Sequence, residues 1–290
     1  MSDIVTERSG SILQIQFNRP AKKNAMTSAM YITMADLLNN AAKDDSVRVV
    51  LLHGAGDSFC AGNDVEDFLK NPMGPGDSPQ SRLIDAFIAF DKPIVAAVHG
   101  FAIGGGTTML THCDFVYAGE SAKFQMPFIN LALVPEFGTS YSIPARIGYL
   151  RAAELIQLGQ PFDAHRAAEL GLVTRVVPDQ KLLAKATEAA QKLAEKPAGA
   201  IQACKRLKRL MRQLVRPQLK QAAKLENEDC AVRLRSADAK EAFTAFLEKR
   251  PPDFTRIKQT VSVGRFGTCD QKGQAALSKR KVNRGKHVAA

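Results

Sequence analysis

The sequence predicts an α/β fold, and two observations support this prediction. Short apolar runs typical of buried strands alternate along the chain with segments whose apolar residues recur at helical spacing. Two of these runs lead directly into glycine-bearing turns, at residues 58–64 and 99–106. With 290 residues, 45% of them hydrophobic, the chain can bury a large core.

The first half of the chain shows the alternation most clearly. Residues 12–17 alternate apolar and polar side chains, as a half-exposed strand does. The apolar runs 47–53 and 93–98 predict buried strands, with a polar stretch rich in Pro and Gly at 71–79 and a helix over 80–90 between them. A further helix is expected from about Thr27, with one face formed by Met30, Met34, Leu37, Leu38 and Ala41.

The second half begins with the same pattern and then becomes helical. A short apolar helix through 109–110 and a strand at 114–118 are expected first. Residues 163–170 predict a helix with an Asp N-cap and a Gly stop, followed by a strand at 172–177. Residues 179–249 are helical in pattern throughout. We therefore predict a core at 1–195, a helical region at 196–255 and a basic, disordered tail at 256–290.

The net charge of +11 is concentrated at the C-terminus. Residues 251–290 carry nine Lys/Arg against two Asp, a net of +7, which leaves about +4 for the rest of the chain. A second basic run at 205–220 contains no acid and is interleaved with Leu and Met, which predicts an amphipathic helix with a solvated basic face. An alternative interpretation of this run, a binding site for a polyanion or a phosphate-bearing ligand, stays open. Nucleic acid is not the expected partner.

Several functional classes find no support in the sequence. Five cysteines, at 60, 113, 204, 230 and 269, form no CxxC pair, which predicts reduced thiols in the cytoplasm and no metal site. No apolar run reaches about 18 residues, and the N-terminus is not a signal or transit peptide in pattern. The histidines at 53, 99, 112 and 165 are interpreted as structural. Serine-hydrolase, P-loop and dinucleotide-binding motifs do not occur.

The two glycine-bearing turns are the strongest chemical signal. Gly104, Gly105 and Gly106 follow a strand and precede a helix, so a ligand can reach the backbone and meet unpaired N–H groups. The turn at 61–62, which follows a neighbouring strand, also lets a ligand reach backbone N–H groups. Two N–H groups converging on one carbonyl oxygen form an oxyanion hole, in which one donor contributes about 3–4 kcal/mol in a transition state. The alternative, that both turns are only tight connections, has equal weight on the glycine pattern alone.

Five segments together resemble the crotonase (enoyl-CoA hydratase/isomerase) superfamily, at residues 18–25, 59–64, 100–106, 168–173 and 246–250. The resemblance spans about residues 4–254. It implies a crotonase-like spiral of ββα units, a C-terminal helical trimerisation region, and assembly as a homotrimer or a dimer of trimers. It also implies an acyl-CoA thioester substrate, with coenzyme A as part of the substrate and no other cofactor. The thioester oxygen would be held by the N–H groups of Ala61 and Gly105.

The sequence departs from the hydratases of that superfamily at both of their acidic positions. Those positions match Thr108 and Phe128, and neither side chain can titrate near neutral pH. Residues 133–141 instead resemble the catalytic segment of peroxisomal-type Δ3,Δ2-enoyl-CoA isomerases, with Glu136 as the proton shuttle. One base lying along the acyl chain can remove a proton at C2 and return it at C4. Apolar flanks, among them Phe137 and Phe128, predict desolvation and a raised carboxyl pKa.

The resemblance also implies contacts with coenzyme A and the substrate. Residues expected there are Lys22, Lys23, Gly62, Asn63, Asp64, Val65, Phe128, Phe246 and Lys249. Each lysine could equally be a solvated surface residue, and Glu136 taken alone could simply stabilise a helix terminus. Three other functions stay open: an enoyl-CoA hydratase, another acyl-CoA reaction such as ring-epoxide isomerisation or dehalogenation, and a non-catalytic RNA-binding protein. Sparse aromatic residues in the basic stretches argue against the last.

Overall fold

The computed structural model describes residues 2–71 and 76–256 of the chain. Residues 72–75 of the predicted Pro- and Gly-rich stretch, Cys269, and the predicted tail beyond Arg256 lie outside the described residues. The described residues up to Phe254 form one compact unit. The domain boundary proposed at 195 stays a prediction.

The strands of the described residues form two sheets. Their bounds are Ile4–Ser9 (β1), Ile12–Phe17 (β2), Val49–Gly54 (β3), Ile94–Val98 (β4), Phe101–Ile103 (β5), Phe115–Gly119 (β6), Lys123–Gln125 (β7), Phe162–Asp163 (β8) and Arg175–Val177 (β9). The larger sheet has the order β1-β2-β3-β4-β6-β9, and the smaller has the order β5-β7-β8. In the larger sheet only the hairpin β1–β2 is antiparallel, with Thr6 opposite Ile15, and Ile15 in turn lies opposite Leu52 of β3. Parallel strands need crossovers, which the helices supply.

Eleven α-helices lie in the same part of the chain. Their bounds are Ser28–Lys43 (α1), Val65–Lys70 (α2), Pro79–Ala89 (α3), Gly105–Thr108 (α4), Thr139–Ile147 (α5), Tyr149–Leu158 (α6), Ala164–Glu169 (α7), Asp179–Ala194 (α8), Ala198–Arg212 (α9), Arg216–Arg233 (α10) and Ala237–Leu247 (α11). Side-chain caps fix several N-termini, because an oxygen of the N-cap residue accepts one of the unpaired N–H groups. These caps are Thr27, Asp64, Ser78, Asp163 and Ser236.

The larger sheet is covered on both faces, which explains its continuous apolar strands. Successive side chains of a strand point to opposite faces. Val50 and Leu52 of β3 therefore join the main core with α1 and α3, whereas Leu51 packs in a second cluster against Ala186 of α8. Burial on both faces accounts for the apolar run at residues 49–52 of β3.

The predicted α/β class is confirmed, and most predicted elements are present. The strand expected at 172–177 is shorter, because the N–H groups of Leu172 and Val173 bond to Ala167 O and extend the turn after α7. Strand β1 and the smaller sheet were not predicted, and the two- and three-residue strands of that sheet are too short to show a period. None of the helices among the described residues is long and apolar enough to cross a membrane.

The predicted solvated face of the basic run 205–220 is present only in part. The run is divided between α9 and α10, and its cation Lys208 is buried, where Nζ pairs with Asp114 Oδ2 at 2.7 Å. Arg216 pairs inward with Asp91 at 2.5 Å. The exposed positions include the apolar residues Leu207, Leu210, Met211 and Leu214 as well as the cations Arg206, Arg209 and Lys220. Asp114 and Asp91, at the ends of neighbouring elements, attract Lys208 and Arg216 and draw them towards the protein interior.

Candidate active site

A cavity of about 380 Å³ lies between the two glycine-bearing turns, the loop at 133–138 and α11. Gly62, Gly105 and Glu136 are among its lining residues. Most of the wall is apolar, with side chains from Val65, Phe68, Phe128, Leu131, Leu133, Val134, Phe243 and Phe246. A largely apolar cavity with few polar groups is typical of a binding site for a small molecule.

The two glycine-bearing turns pack backbone to backbone. A Cβ on Gly62, which has φ +86°, would lie 2.7 Å from Ile103 O, and one on Gly106 would lie 2.2 Å from Cys60 O. A Cβ on Gly105 would lie 2.7 Å from Glu136 Oε1. Glycine is therefore required at these positions by contact, and Gly105 brings backbone directly against the carboxyl group.

Glu136 is held in the cavity by the backbone on its C-terminal side. Phe137 and Gly138 both have positive φ, at 64° and 67°. His112 Nε2 bonds to Phe137 O at 2.9 Å, and the carboxylate of Glu226 accepts the N–H groups of Gly138 (2.8 Å) and Ser140 (2.7 Å). These bonds fix a turn that a helix or strand could not make.

The Glu136 carboxyl group is buried and partly unpaired. The residue is 4% exposed, and Oε1 has no hydrogen-bond partner among the described residues. Burial, and secondarily the negative charge of Glu226, raise the carboxyl pKa to about 8. Burial also raises the pKa of Glu226, although its bonds to Ser140 and Gly138 oppose that change. Glu136 therefore has the basicity of a proton-transfer group that works near neutral pH.

The prediction that the Ala61 N–H is an oxyanion donor is wrong. This N–H already donates to Lys23 O at 3.0 Å, because the turn at 61–62 pairs with the first loop. Asn63 is the better candidate. It forms a parallel bridge with Met26, in which the N–H groups of Met26 and Asp64 make the bonds, so its own N–H points away from Met26.

The N–H groups of Asn63 and Gly105 are both without a partner among the described residues, and both residues line the cavity. Gly105 begins α4, so no residue of its own helix can accept this N–H. Tyr31, which is fully buried on α1, donates its hydroxyl to the side chain of Asn63 at 2.7 Å and fixes its position. Tyr31 was not predicted as a site residue, because an apolar helix face gives no sign that one of its side chains bonds to a distant turn.

The other predicted binding residues divide into two groups. Val65, Phe128 and Phe246 line the cavity, as do Gly62 and Asn63. Lys22, Lys23, Asp64 and Lys249 are not among its lining residues. Lys22 pairs with Glu66 at 3.9 Å, Lys23 pairs with Asp57, and Asp64 pairs with Arg19 at 3.0 Å while capping α2. Asp64 thus supports the fold within this chain, and the predicted contacts of Asp64 and the three lysines with coenzyme A remain predictions.

Few other ionisable groups reach the cavity. Besides Glu136 only Cys230 and Arg250 line it in the described part of the chain. Burial raises the pKa of the Cys230 thiol to about 12, so it stays protonated, and Arg250 is held by Glu241 and Glu248. Thr108 is buried outside the cavity lining. Within residues 2–71 and 76–256, no three His, Cys, Asp or Glu side chains are grouped to hold a metal ion.

The sequence matches the profile of a family described as enoyl-CoA hydratase/isomerase, over residues 7–258. A 1,2-epoxyphenylacetyl-CoA isomerase of Escherichia coli (strain K12) is 34% identical over 88% of this chain and 99% of its own length. Enoyl-CoA delta isomerase 2 of Rattus norvegicus is 33% identical over 86% of this chain and 64% of its own length. Relatives named as hydratases match at comparable identity.

A solved structure agrees with these matches. The enoyl-CoA hydratase/isomerase from Pseudoalteromonas atlantica T6c is 38% identical, with a TM-score of 0.81 over 87% of this chain and 100% of that chain. Family profile, relatives and fold thus lead to one assignment. The chain belongs to the enoyl-CoA hydratase/isomerase family, whose crotonase fold it has.

Proposed function

We propose that this chain converts 3-enoyl-CoA thioesters to trans-2-enoyl-CoA, with Glu136 as the only proton carrier. One observation carries the proposal: Glu136 is the only carboxyl group among the described residues that line the cavity, and it is buried with Oε1 unpaired. A double-bond shift needs a single proton carrier. Hydration needs a group that activates water and a source for the α-proton.

The reaction proceeds through a dienolate. The thioester oxygen accepts hydrogen bonds from the N–H groups of Gly105 and Asn63. The Glu136 carboxylate removes a proton from C2, and the electron pair of that C–H bond moves onto the thioester oxygen, giving a dienolate conjugated through C4. The protonated Glu136 then delivers the same proton to C4. The double bond lies between C2 and C3 in the product, and the base is regenerated with no metal or redox cofactor.

The polar groups are placed for the charge that develops in this scheme. Negative charge moves from Glu136 to the thioester oxygen, where two backbone N–H groups stabilise it in a cavity of low polarity. A second carboxylate in the cavity would oppose that charge. Glu226 is kept outside the cavity lining by its bonds to Gly138 and Ser140 and acts on Glu136 by raising its basicity.

The aromatic wall favours a second candidate, isomerisation of a ring epoxide of an aromatic acyl-CoA. Phe68, Phe128, Phe243 and Phe246 line the cavity, and aromatic rings pack well against an aryl group. The Escherichia coli relative named 1,2-epoxyphenylacetyl-CoA isomerase supports the same reading. This candidate shares the fold and the acyl-CoA thioester with the first.

The expected assembly, a homotrimer or a dimer of trimers, is also a proposal. It is supported by the exposed apolar residues of the segment that ends α9, where Met211 is 64% exposed and Leu214 is 76% exposed. Apolar side chains grouped at the surface favour contact with another copy of the chain.

A panel of thioesters tests the proposed reaction. With 3-hexenoyl-CoA we expect the enoyl thioester absorbance to rise as the conjugated product forms, and with crotonyl-CoA we expect no loss of that absorbance. Glu136→Gln should reduce 3-hexenoyl-CoA turnover by about a hundredfold or more while acyl-CoA binding is kept. Steady loss of crotonyl-CoA absorbance would establish a hydratase instead. Turnover of the aryl epoxide alone would establish the second candidate.

A further inference from the structure

The hydroxyl of Tyr31 lies beside both candidate donors of the oxyanion hole, although Tyr31 does not line the cavity. It donates to Asn63 Oδ1 at 2.7 Å, and a Cβ on Gly105 would lie 3.2 Å from the same hydroxyl oxygen. Tyr31 is fully buried on α1 and belongs to the main core. Because a ring in a close-packed core has little freedom to turn, the hydroxyl is held at one position.

The Tyr31 hydroxyl determines which way the Asn63 side-chain amide faces. The O–H has no other acceptor among the described residues, and a buried donor left without an acceptor is costly. An amide turned by half a rotation would present its NH2 group, which cannot accept. Burial, followed by the charge of Glu136, raises the pKa of the Tyr31 hydroxyl well above its usual value, so it remains a donor. The amide oxygen therefore faces Tyr31.

The position of Asn63 depends on this hydrogen bond. It is the only one that the Asn63 side chain makes within the described part of the chain. The preceding residue is Gly62, whose φ of +86° lies in the region that glycine enters freely, so the turn has little stiffness of its own. Met26 bonds to the backbone on either side of Asn63, through Gly62 O and the N–H of Asp64. The bond from Tyr31 adds the restraint on Asn63 itself.

We propose that Tyr31 is a positioning residue of the oxyanion hole, which holds Asn63 so that its backbone N–H points at the thioester oxygen together with that of Gly105. The inference rests on the proposed function in one respect, the formation of an enolate at C2. Such donors act when they lie about 2.7–3.1 Å from the oxygen that gains charge, so a small rotation of the turn weakens them. Tyr31 touches neither the substrate nor the reacting atoms and acts through Asn63.

Tyr31 makes no hydrogen bond to the proposed base. Glu136 Oε1 has no partner among the described residues, and the Glu136 pKa is raised by burial and by the charge of Glu226. Loss of the Tyr31 hydroxyl should therefore weaken stabilisation of the enolate and leave the pKa of Glu136 unchanged. A general disturbance of the cavity would alter both.

Exchange of the α-protons of butyryl-CoA in deuterium oxide tests the proposal on the full chain. At saturating thioester, Tyr31→Phe should exchange about tenfold more slowly than wild type, because one donor is no longer aimed. The Kd for butyryl-CoA should change by less than about twofold, since the cavity lining is unaltered, and the pH dependence of exchange should not move. Tyr117→Phe alters a buried tyrosine of β6 in the second core cluster; it is the matched control and should exchange like wild type.

A double-mutant cycle separates positioning from support of the fold. Asn63→Ala keeps the backbone N–H and removes the side chain that Tyr31 holds. In this background, Tyr31→Phe should change the exchange rate by less than about twofold, because the hydroxyl no longer has a group to position.

Four results would overturn the proposal. The first is a wild-type exchange rate in Tyr31→Phe, and the second is no exchange by wild type itself. The third is an equal loss on Tyr31→Phe with and without the Asn63 side chain, which would show that the hydroxyl only supports the fold. The fourth is a shifted pH dependence, which would mean that Tyr31 acts on Glu136. A wild type that exchanges butyryl-CoA but leaves 3-hexenoyl-CoA unchanged would end the proposed isomerisation and keep the role of Tyr31.

Discussion

Glu136→Gln should stabilise the folded chain, and the gain should grow with pH. In the folded chain burial raises the Glu136 pKa from 4.5 to about 8, so the folded state keeps a proton that the unfolded state releases. The wild-type chain therefore has its full stability from this group below pH 4.5 and loses stability as pH rises towards 8. Glutamine does not titrate and is not subject to this loss.

The magnitude follows from the two pKa values. Between them, each pH unit removes about 1.4 kcal/mol from the free energy of unfolding of wild type. Integrated from pH 5 to pH 8, the loss is about 3 kcal/mol. Other titrating groups cancel in the comparison of the two proteins. Any fixed cost of burying the amide shifts the difference by a constant and leaves its slope unchanged.

Urea unfolding followed by circular dichroism at pH 5, 6.5 and 8 measures this difference. Protein concentration must be equal throughout, because an assembly makes stability concentration-dependent. Glu120→Gln, which removes an exposed carboxyl group, is the matched control, and its difference from wild type should change far less. A difference between wild type and Glu136→Gln that stays constant from pH 5 to pH 8 would refute the reasoning, since it would show an ordinary carboxyl pKa.

Three further predictions concern activity and assembly. First, kcat/KM should rise with pH to a plateau above about pH 8, because the reactive form of Glu136 is the carboxylate. Glu226→Gln should move this limb to lower pH by removing a repelling charge, with some loss of stability because Gly138 or Ser140 loses its acceptor. Second, Gly105→Ala should lower kcat about a hundredfold, because its Cβ would lie 2.7 Å from Glu136 Oε1. Third, Leu210→Glu should dissociate the proposed assembly in analytical ultracentrifugation, since Leu210 is 50% exposed in the single chain.

Each of these predictions has a contradicting outcome. If kcat/KM rises over the same pH range in Glu226→Gln and in wild type, the charge of Glu226 does not raise the pKa of Glu136. Gly199→Ala is the matched control for the glycine test, because its Cβ meets nothing within 4 Å, and it should keep full activity. Equal kcat in the Gly105 and Gly199 variants would show that a Cβ at position 105 does not disturb Glu136. An unchanged sedimentation profile for the Leu210 variant would place any interface elsewhere.

The sequence predicted what depends on local pattern. Residues 49–52 of the run at 47–53 are continuously apolar because this part of β3 is buried on both faces, and the Asp163 N-cap and its helix lie where the pattern placed them. Glu136 was predicted as the acid of the site, and the structure places it against Gly105. Its raised pKa was also predicted, because apolar neighbours in sequence remained its neighbours in space.

The parts that depend on long-range contacts were missed. Hydrogen bonds to Lys23 and Met26, which lie more than thirty residues earlier, decide which backbone N–H of the turn at 60–63 is free. Glu226 lies on α10, ninety residues after Glu136, and no spacing rule connects the two. The basic run around Lys208 shows the same limit, because Asp114 draws a cation inward that local amphipathicity places in solvent.

Exchange of the α-protons of butyryl-CoA in deuterium oxide tests the central claim most directly. A saturated thioester cannot isomerise or add water, so exchange reports only a base at C2 and a stabilised enolate. Wild type should incorporate deuterium at C2 steadily, and Glu136→Gln should reduce that rate about a hundredfold or more. Equal incorporation by the two proteins would contradict the account, because a group other than Glu136 would then be removing the proton.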